Sequence, residues 1–232
     1  KGRDIDAIVM SAGGNDVGFG SILTSCALQN NCPLATATAP PLSTYPTIQT
    51  GIQALTAELP TGYSLINKCF TDATCTGAQN QSLPGLSLSP IGQVFLNSYP
   101  DPTRSETGST CSYLTISQED FAWAHDTILD PSPVDPFMYR TTQGQLVPLA
   151  TGAGSLNEAI ANTNQIGWKP IMGTWSETGT GSTGHGVCAG GQSWIFGLTG
   201  IFGFTSGSFH PNPVGQNKIS GIIFREMVAS GF

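Results

Sequence analysis

The chain has 232 residues, of which 39% are hydrophobic and only 10% charged, with a net charge of −7 and a pI near 4.7. That length and apolar content suit one globular domain with a full core and exclude a disordered chain. Its eight Lys and Arg residues are scattered, which argues against a nucleic-acid partner and against charge-driven binding to an anionic membrane surface.

Taken in chain order, Ile5 to Met10 (Ile-Asp-Ala-Ile-Val-Met) reads as a β-strand stopped by Gly13-Gly14. A near-continuous apolar strand is buried on both faces, so it belongs in the middle of a sheet. The expectation is that a partner strand comes from a segment upstream of Lys1. Residues 24 to 47 are rich in Ala, Thr and Pro, with two cysteines, and read as a stapled loop. Ile48 to Leu59 carries apolar residues at 48, 52, 55 and 59, a helical face expected to end at Pro60. Residues 61 to 110 read as loop, so that about 24–110 forms a loop-rich insertion of the kind that often serves as a lid. Phe121 to Leu129 is expected to be helical and to stop at Asp130-Pro131. Ser155-Leu-Asn-Glu158 is a capping-box pattern that opens a helix running to about Ile166, with Gly167 as its stop. Trp168 to Met172 is a short strand. Gln216 to Ser230 is a closing helix with Ile219, Ile222, Ile223 and Met227 on one side. Strands alternating with helices point to a layered α/β sheet in a single domain over 1–232.

Four of the six cysteines form two close pairs in polar sequence, Cys26 with Cys32 and Cys69 with Cys75. An even count with local pairing points to disulfides and an oxidising compartment. Their spacing is not that of a zinc site. No transmembrane segment is expected: the apolar stretch from Trp194 to Phe204 is broken by three glycines and falls short of a span. Nor does the start at Lys1 read as a signal peptide.

Two motifs carry chemistry. Ser11-Ala-Gly-Gly-Asn-Asp-Val-Gly18 follows the first strand, where an α/β sheet places its ligands. Its Asn15 can offer amide N–H groups to an oxyanion. Read alone, the same residues are simply a turn. Ser208-Phe-His-Pro-Asn212 holds His210 in a Pro-stiffened loop. A His there suits a general base, and equally a structural role. His185-x-x-Cys188 is a poor metal pair without a third ligand nearby, and His125-Asp126, adjacent on a helix, reads as structural.

Taken together, these blocks resemble the SGNH (GDSL-type) serine hydrolases, in the secreted esterase and lipase branch known from actinomycetes. Ser155-Leu-Asn-Glu-Ala-Ile, His185-Gly-Val-Cys188 and Trp194 add to the likeness, while residues 30 to 110 match only loosely. The resemblance implies a three-layer α/β/α sandwich with a mostly parallel sheet, completed by an N-terminal segment that this sequence lacks. It implies Asn15 as an oxyanion donor and His210 as the base. The family's usual Asp, three residues before the His, is replaced by Gly207, whose backbone carbonyl would orient the imidazole instead. Cys188 is disulfide-bonded in that branch, which assigns it to Cys111. The nucleophile is missing, because no Gly-Asp-Ser or Gly-Asn-Ser triplet occurs in the chain.

The implied function is a secreted carboxylic ester hydrolase working without cofactor or metal. Its serine would come from an upstream segment or a companion N-terminal polypeptide, and its substrate would be a lipid ester or an acylated glycan. This chain alone is then expected to be inactive. The alternatives are a non-catalytic lipid- or glycan-binding module and an acyltransferase using the same site.

Overall fold

The computed structural model describes residues 5–77, 81–86, 88–150, 152, 154–180, 183–197 and 209–232, with the backbone alone for 89–92. Its framework is a parallel sheet of three strands, β1 (Ile5–Met10), β4 (Leu88–Asn97) and β7 (Lys169–Ile171), in the order β1-β4-β7. β4 pairs with β1 through Ala7↔Gln93, Ile8↔Val94, Val9↔Phe95 and Met10↔Leu96, and with β7 through Phe95↔Lys169 to Asn97↔Ile171.

Successive side chains of a strand point to opposite faces, and helices cover both faces here. On one face Val94 and Leu96 pack with Ile8 and Met10 against Leu59, Tyr63 and Phe70 of α2 (Ile48–Thr71) and Leu156 and Ile160 of α4 (Leu156–Ala161). On the other face Phe95 meets Ile171, Trp194 and Ile222, the last from α6 (Pro213–Ala229), which packs beside α5 (Gly173–Gly179). The chain is therefore an α/β fold with helices on both sides of a parallel sheet. A further core cluster lies around α1 (Phe19–Leu28) and α3 (Gln118–Trp123), together with the antiparallel pair β5 (Phe137–Arg140) and β6 (Leu146–Leu149).

Three sequence expectations need correction. α2 does not stop at Pro60; it runs to Thr71. A proline inside a helix removes one backbone hydrogen bond and costs about 3 kcal/mol. Beyond Pro60, however, the helix buries Tyr63 and Phe70, whose rings lie 5.8 and 5.9 Å from that of Trp168. Burying two aromatic side chains outweighs one lost bond. Residues 61–110 are likewise not a structureless insertion. They hold the rest of α2, the small antiparallel pair β2 (Thr74–Thr76) and β3 (Ser82–Pro84), and the middle strand of the sheet. Lastly, the stapled loop expected at 24–47 opens as the end of α1 and continues with two short 3-10 turns, Cys32–Leu34 and Leu42–Thr44.

The later elements follow the sequence closely. Ser155 caps α4 through a capping box with Glu158, a 3-10 turn continues over Asn162–Ile166, and Gly167 ends it with φ 83°. Phe121 to Leu129 is helical, as α3 and a π turn over Ala124–Leu129 that stops at Asp130. β1 has only one partner among the described residues. None of its side chains is fully buried, and Val9 is 46% exposed.

Candidate active site

The turn after β1 is built from backbone bonds. Val17 N–H donates to Gly13 C=O at 3.0 Å, Phe19 N–H to Gly14 C=O at 2.9 Å and Gly18 N–H to Asn15 C=O at 3.0 Å. Gly13 has φ +113°, and a Cβ there would lie 2.6 Å from the Tyr63 hydroxyl oxygen, so only glycine fits. Tyr63 donates that hydroxyl to Ala12 C=O at 3.0 Å. Burial, reinforced by Tyr99 and Asp16, pushes the Tyr63 phenol above its ordinary range, so it stays protonated and remains a donor. Gly18, also at positive φ, starts α1. The result is a rigid turn that leaves Asn15 exposed at the C-terminal end of the strand.

His210 arrives from the other end of the sequence, on a loop that is pinned before α6 begins. Phe196 N–H donates to His210 C=O at 2.8 Å and Phe209 N–H to Phe196 C=O at 3.0 Å. Asn212 caps α6 by accepting from Gly215 N–H at 2.9 Å, and its amide donates to Ser193 C=O at 2.7 Å. Trp194, beside this loop, stacks on His185 with ring centroids 4.0 Å apart. Phe209 is buried at φ 58°, the left-handed region, which costs a non-glycine residue about 1–2 kcal/mol. Its ring is held edge-on by Tyr113 and Phe121 at 6.3 and 6.5 Å. That twist leaves His210 exposed while its neighbour is buried.

Asn15 and His210 line one cavity of about 830 Å³. It runs along the side of β1 that has no partner strand among the described residues, past Val9, Met10 and Ser11, to Ile219 and Ile223 of α6. Phe19, Leu23, Leu129 and Phe209 make its wall largely apolar, and Asn97, Tyr99 and Ser21 add polar groups. This is the common composition of a small-molecule site: an apolar concavity with a few convergent polar groups. Gly207 and Ser208 lie outside the described residues.

The sequence reading did not reach Tyr99 or its clamp. Asn157 is fully buried on α4; it accepts from Tyr99 N–H at 2.8 Å and donates to Tyr99 C=O at 3.1 Å. The motif around Asn157 was legible as a helix cap and as part of the family resemblance but not as a clamp, because its partner lies 58 positions away.

The other two histidines do not line this cavity. His125 is buried, with Nδ1 at 2.5 Å from Asp101 Oδ2 and its ring stacked on Trp175 at 5.1 Å. Arg104 contacts both ring nitrogens and also donates to Gly108 C=O. The ligand atoms of His125, Asp126 and Asp130 come within 4.8 Å of one another, but the ring of His125 is already engaged by Asp101 and Arg104. Burial raises the Asp126 carboxyl above the ordinary carboxylate range, against the lowering effect of His125 and Arg104. His185 Nδ1 faces Gln192 C=O at 2.8 Å, a loop-fixing contact.

The cysteines pair as Cys26–Cys32, Cys69–Cys75 and Cys111–Cys188, with Cα separations of 4.7, 4.8 and 6.6 Å. The third ties the segment after Arg104 to the segment before Trp194. No helix among the described residues is long and apolar enough to cross a membrane.

No protein-family model matches this chain, and no curated protein does. Two solved structures match its fold. An extracellular lipase from Streptomyces rimosus superposes with a TM-score of 0.54 at 17% identity, over 95% of this chain and 69% of that one. A phospholipase A1 from Streptomyces albidoflavus NA297 superposes with a TM-score of 0.50 at 16% identity, over 96% of this chain and 69% of that one. At such identities the likeness establishes a shared α/β fold.

Proposed function

We propose that this chain is the greater part of a secreted carboxylic ester hydrolase of the SGNH type, completed by a serine on a strand that docks beside β1. The observation that carries the reading is the meeting of Asn15 and His210, from opposite ends of the sequence, on one largely apolar cavity at the open side of β1. Three points support it further. No Gly-Asp-Ser triplet occurs in the chain, β1 has β4 as its one partner strand among the described residues, and both structural neighbours are a lipase or a phospholipase.

In this reading the serine oxygen attacks the ester carbonyl and His210 takes its proton. Negative charge then develops on the carbonyl oxygen, where the Asn15 carboxamide donates to it. One such donor lowers the barrier by about 2.7–4 kcal/mol. His210 returns the proton to the departing alcohol, and water repeats the sequence to free the acid. The resemblance assigns the orienting of the imidazole to the backbone carbonyl of Gly207, in place of an aspartate. The apolar wall favours an acyl chain, and three crosslinks suit an oxidising compartment outside the cell.

The test is fluorophosphonate labelling of the native protein, with hydrolysis of p-nitrophenyl esters followed alongside. The label should fall on a serine in a Gly-Asp-Ser sequence outside residues 1–232 and should disappear in His210→Ala. A label on Ser11, which lines the same cavity, would place the nucleophile inside this chain. Tight lipid binding with neither labelling nor hydrolysis would favour a binding module, and ester formation with added alcohols would favour an acyltransferase.

A further inference from the structure

We infer that Tyr99 is a positioning residue for the oxyanion donor at Asn15, an inference that rests on the ester-hydrolase reading. Tyr99 stands two residues beyond the end of the middle strand β4 and lines the cavity. Its backbone is held on both sides by the buried carboxamide of Asn157, through bonds of 2.8 and 3.1 Å. The ring therefore leaves a fixed point of the core.

Its hydroxyl oxygen accepts the N–H of Gly14 at 2.8 Å. A Cβ on Gly14 would lie 2.7–2.8 Å from ring atoms Cε1 and Cζ and from the hydroxyl oxygen, so the ring presses directly on that residue. Two consequences follow. The Gly14 amide is engaged and is not a donor to an anion in the cavity, and in the hydrolase reading that role falls to the Asn15 side chain. And the turn is gripped from two elements at once, by Tyr63 of α2 at Ala12 and by Tyr99 at Gly14. Asn15 is the next residue, and its position is set before any substrate arrives. Donors fixed in advance are what make oxyanion stabilisation effective, and a displacement of about 1 Å in a catalytic group costs about 100-fold in rate.

Tyr99→Phe removes the acceptor and keeps the ring. Amide hydrogen exchange of this chain, followed by NMR, should show Gly14 exchanging at least about tenfold faster, with the amides of Ile8 to Met10 unchanged. In the catalytically complete protein, kcat should fall about tenfold with KM within about twofold, since a misplaced oxyanion donor weakens the transition state more than the bound substrate. Asn157→Ala, which frees the Tyr99 backbone without touching the cavity wall, should reproduce both effects in weaker form. Unchanged Gly14 exchange in Tyr99→Phe overturns the inference, as does faster exchange with kcat and KM both unaltered. Absence of ester hydrolysis in the wild-type protein counts against the hydrolase reading instead, and the exchange arm still decides whether Tyr99 holds the turn.

Discussion

β4 and β1 are neighbours in one parallel sheet, and both carry apolar residues on both faces. In β4, Phe95 and Leu96 are inaccessible to solvent and Val94 nearly so, because the strand has β1 on one side, β7 on the other and helices above and below. In β1, Ile8 and Met10 are only partly covered and Val9 faces the cavity. The more hydrophobic of the two runs is the less buried. Burial thus follows position in the sheet, not composition, and in the proposed reading the half-open strand is where the added strand docks. The two sides are also held differently. The β4 side is held by packing, whereas the His210 side is held by tethers: the Cys111–Cys188 crosslink, the Phe196–His210 backbone pair and the Asn212 cap.

This contrast can be broken by mutation. The largest effect is expected from Cys111→Ser with Cys188→Ser. That crosslink spans a sequence separation of 77, for which the loop-entropy model gives about 4–5 kcal/mol, against about 2 kcal/mol for the separation of 6 in Cys26–Cys32. Denaturant unfolding of the two double variants should show that ranking; equal losses would mean that the long tether carries no special weight. Next comes Phe95→Ala, a full side chain removed from the sealed strand, expected to cost about 3–5 kcal/mol. A loss below about 1 kcal/mol would show that β4 is not the packed centre.

Val9→Thr on the open strand should cost no more than about 0.5 kcal/mol in this chain, as for exposed positions generally. In the protein with its added strand the same change should cost clearly more. An equal cost in both forms would argue that nothing docks there.

The smallest effect concerns pH. Burial raises the carboxyl of Glu226 above its ordinary value of about 4.3, even though it accepts backbone N–H groups of Met172 and Gly173. The folded chain therefore binds that proton more tightly than the unfolded one. This contribution to stability is fully present at acid pH, below the unfolded pKa, and is lost as pH rises through the raised one. Glu226→Gln lacks that slope, so its Tm should gain on the wild type as pH climbs through this window and then level off. A gap that stays constant across the window would remove Glu226 from the account.

Much of this was legible in the sequence where the signal was local. Ser155 to Glu158 announced a helix and Gly167 its end; the spacing of Ile219, Ile222 and Ile223 announced α6, though the helix starts at Pro213 under an Asn212 cap, ahead of the expected Gln216. The Gly-Gly-Asn and Phe-His-Pro blocks named the two residues that share the cavity. The middle strand was not legible. Leu88–Asn97 contains Ser89, Pro90, Gly92 and Gln93, leaving Val94-Phe95-Leu96 as its one continuous apolar run, and proline normally demotes a strand. Neighbouring strands and helices, distant in sequence, make it a strand. The same holds for α2 beyond Pro60, kept helical by Trp168, and for Tyr99, whose partners Gly14 and Asn157 are 85 and 58 positions away.

The central claim is that the cavity shared by Asn15 and His210 is where ester hydrolysis happens. The most direct measurement is the rate of p-nitrophenyl ester hydrolysis by the catalytically complete protein carrying His210→Ala, set beside the same protein carrying His125→Gln. The account predicts that His210→Ala lowers kcat by several orders of magnitude with folding intact, as expected for loss of a general base. It predicts near wild-type turnover for the folded fraction of His125→Gln, because that ring is buried between Asp101 and Arg104, away from the cavity. Equal losses in the two variants, or undiminished hydrolysis in His210→Ala, would contradict it.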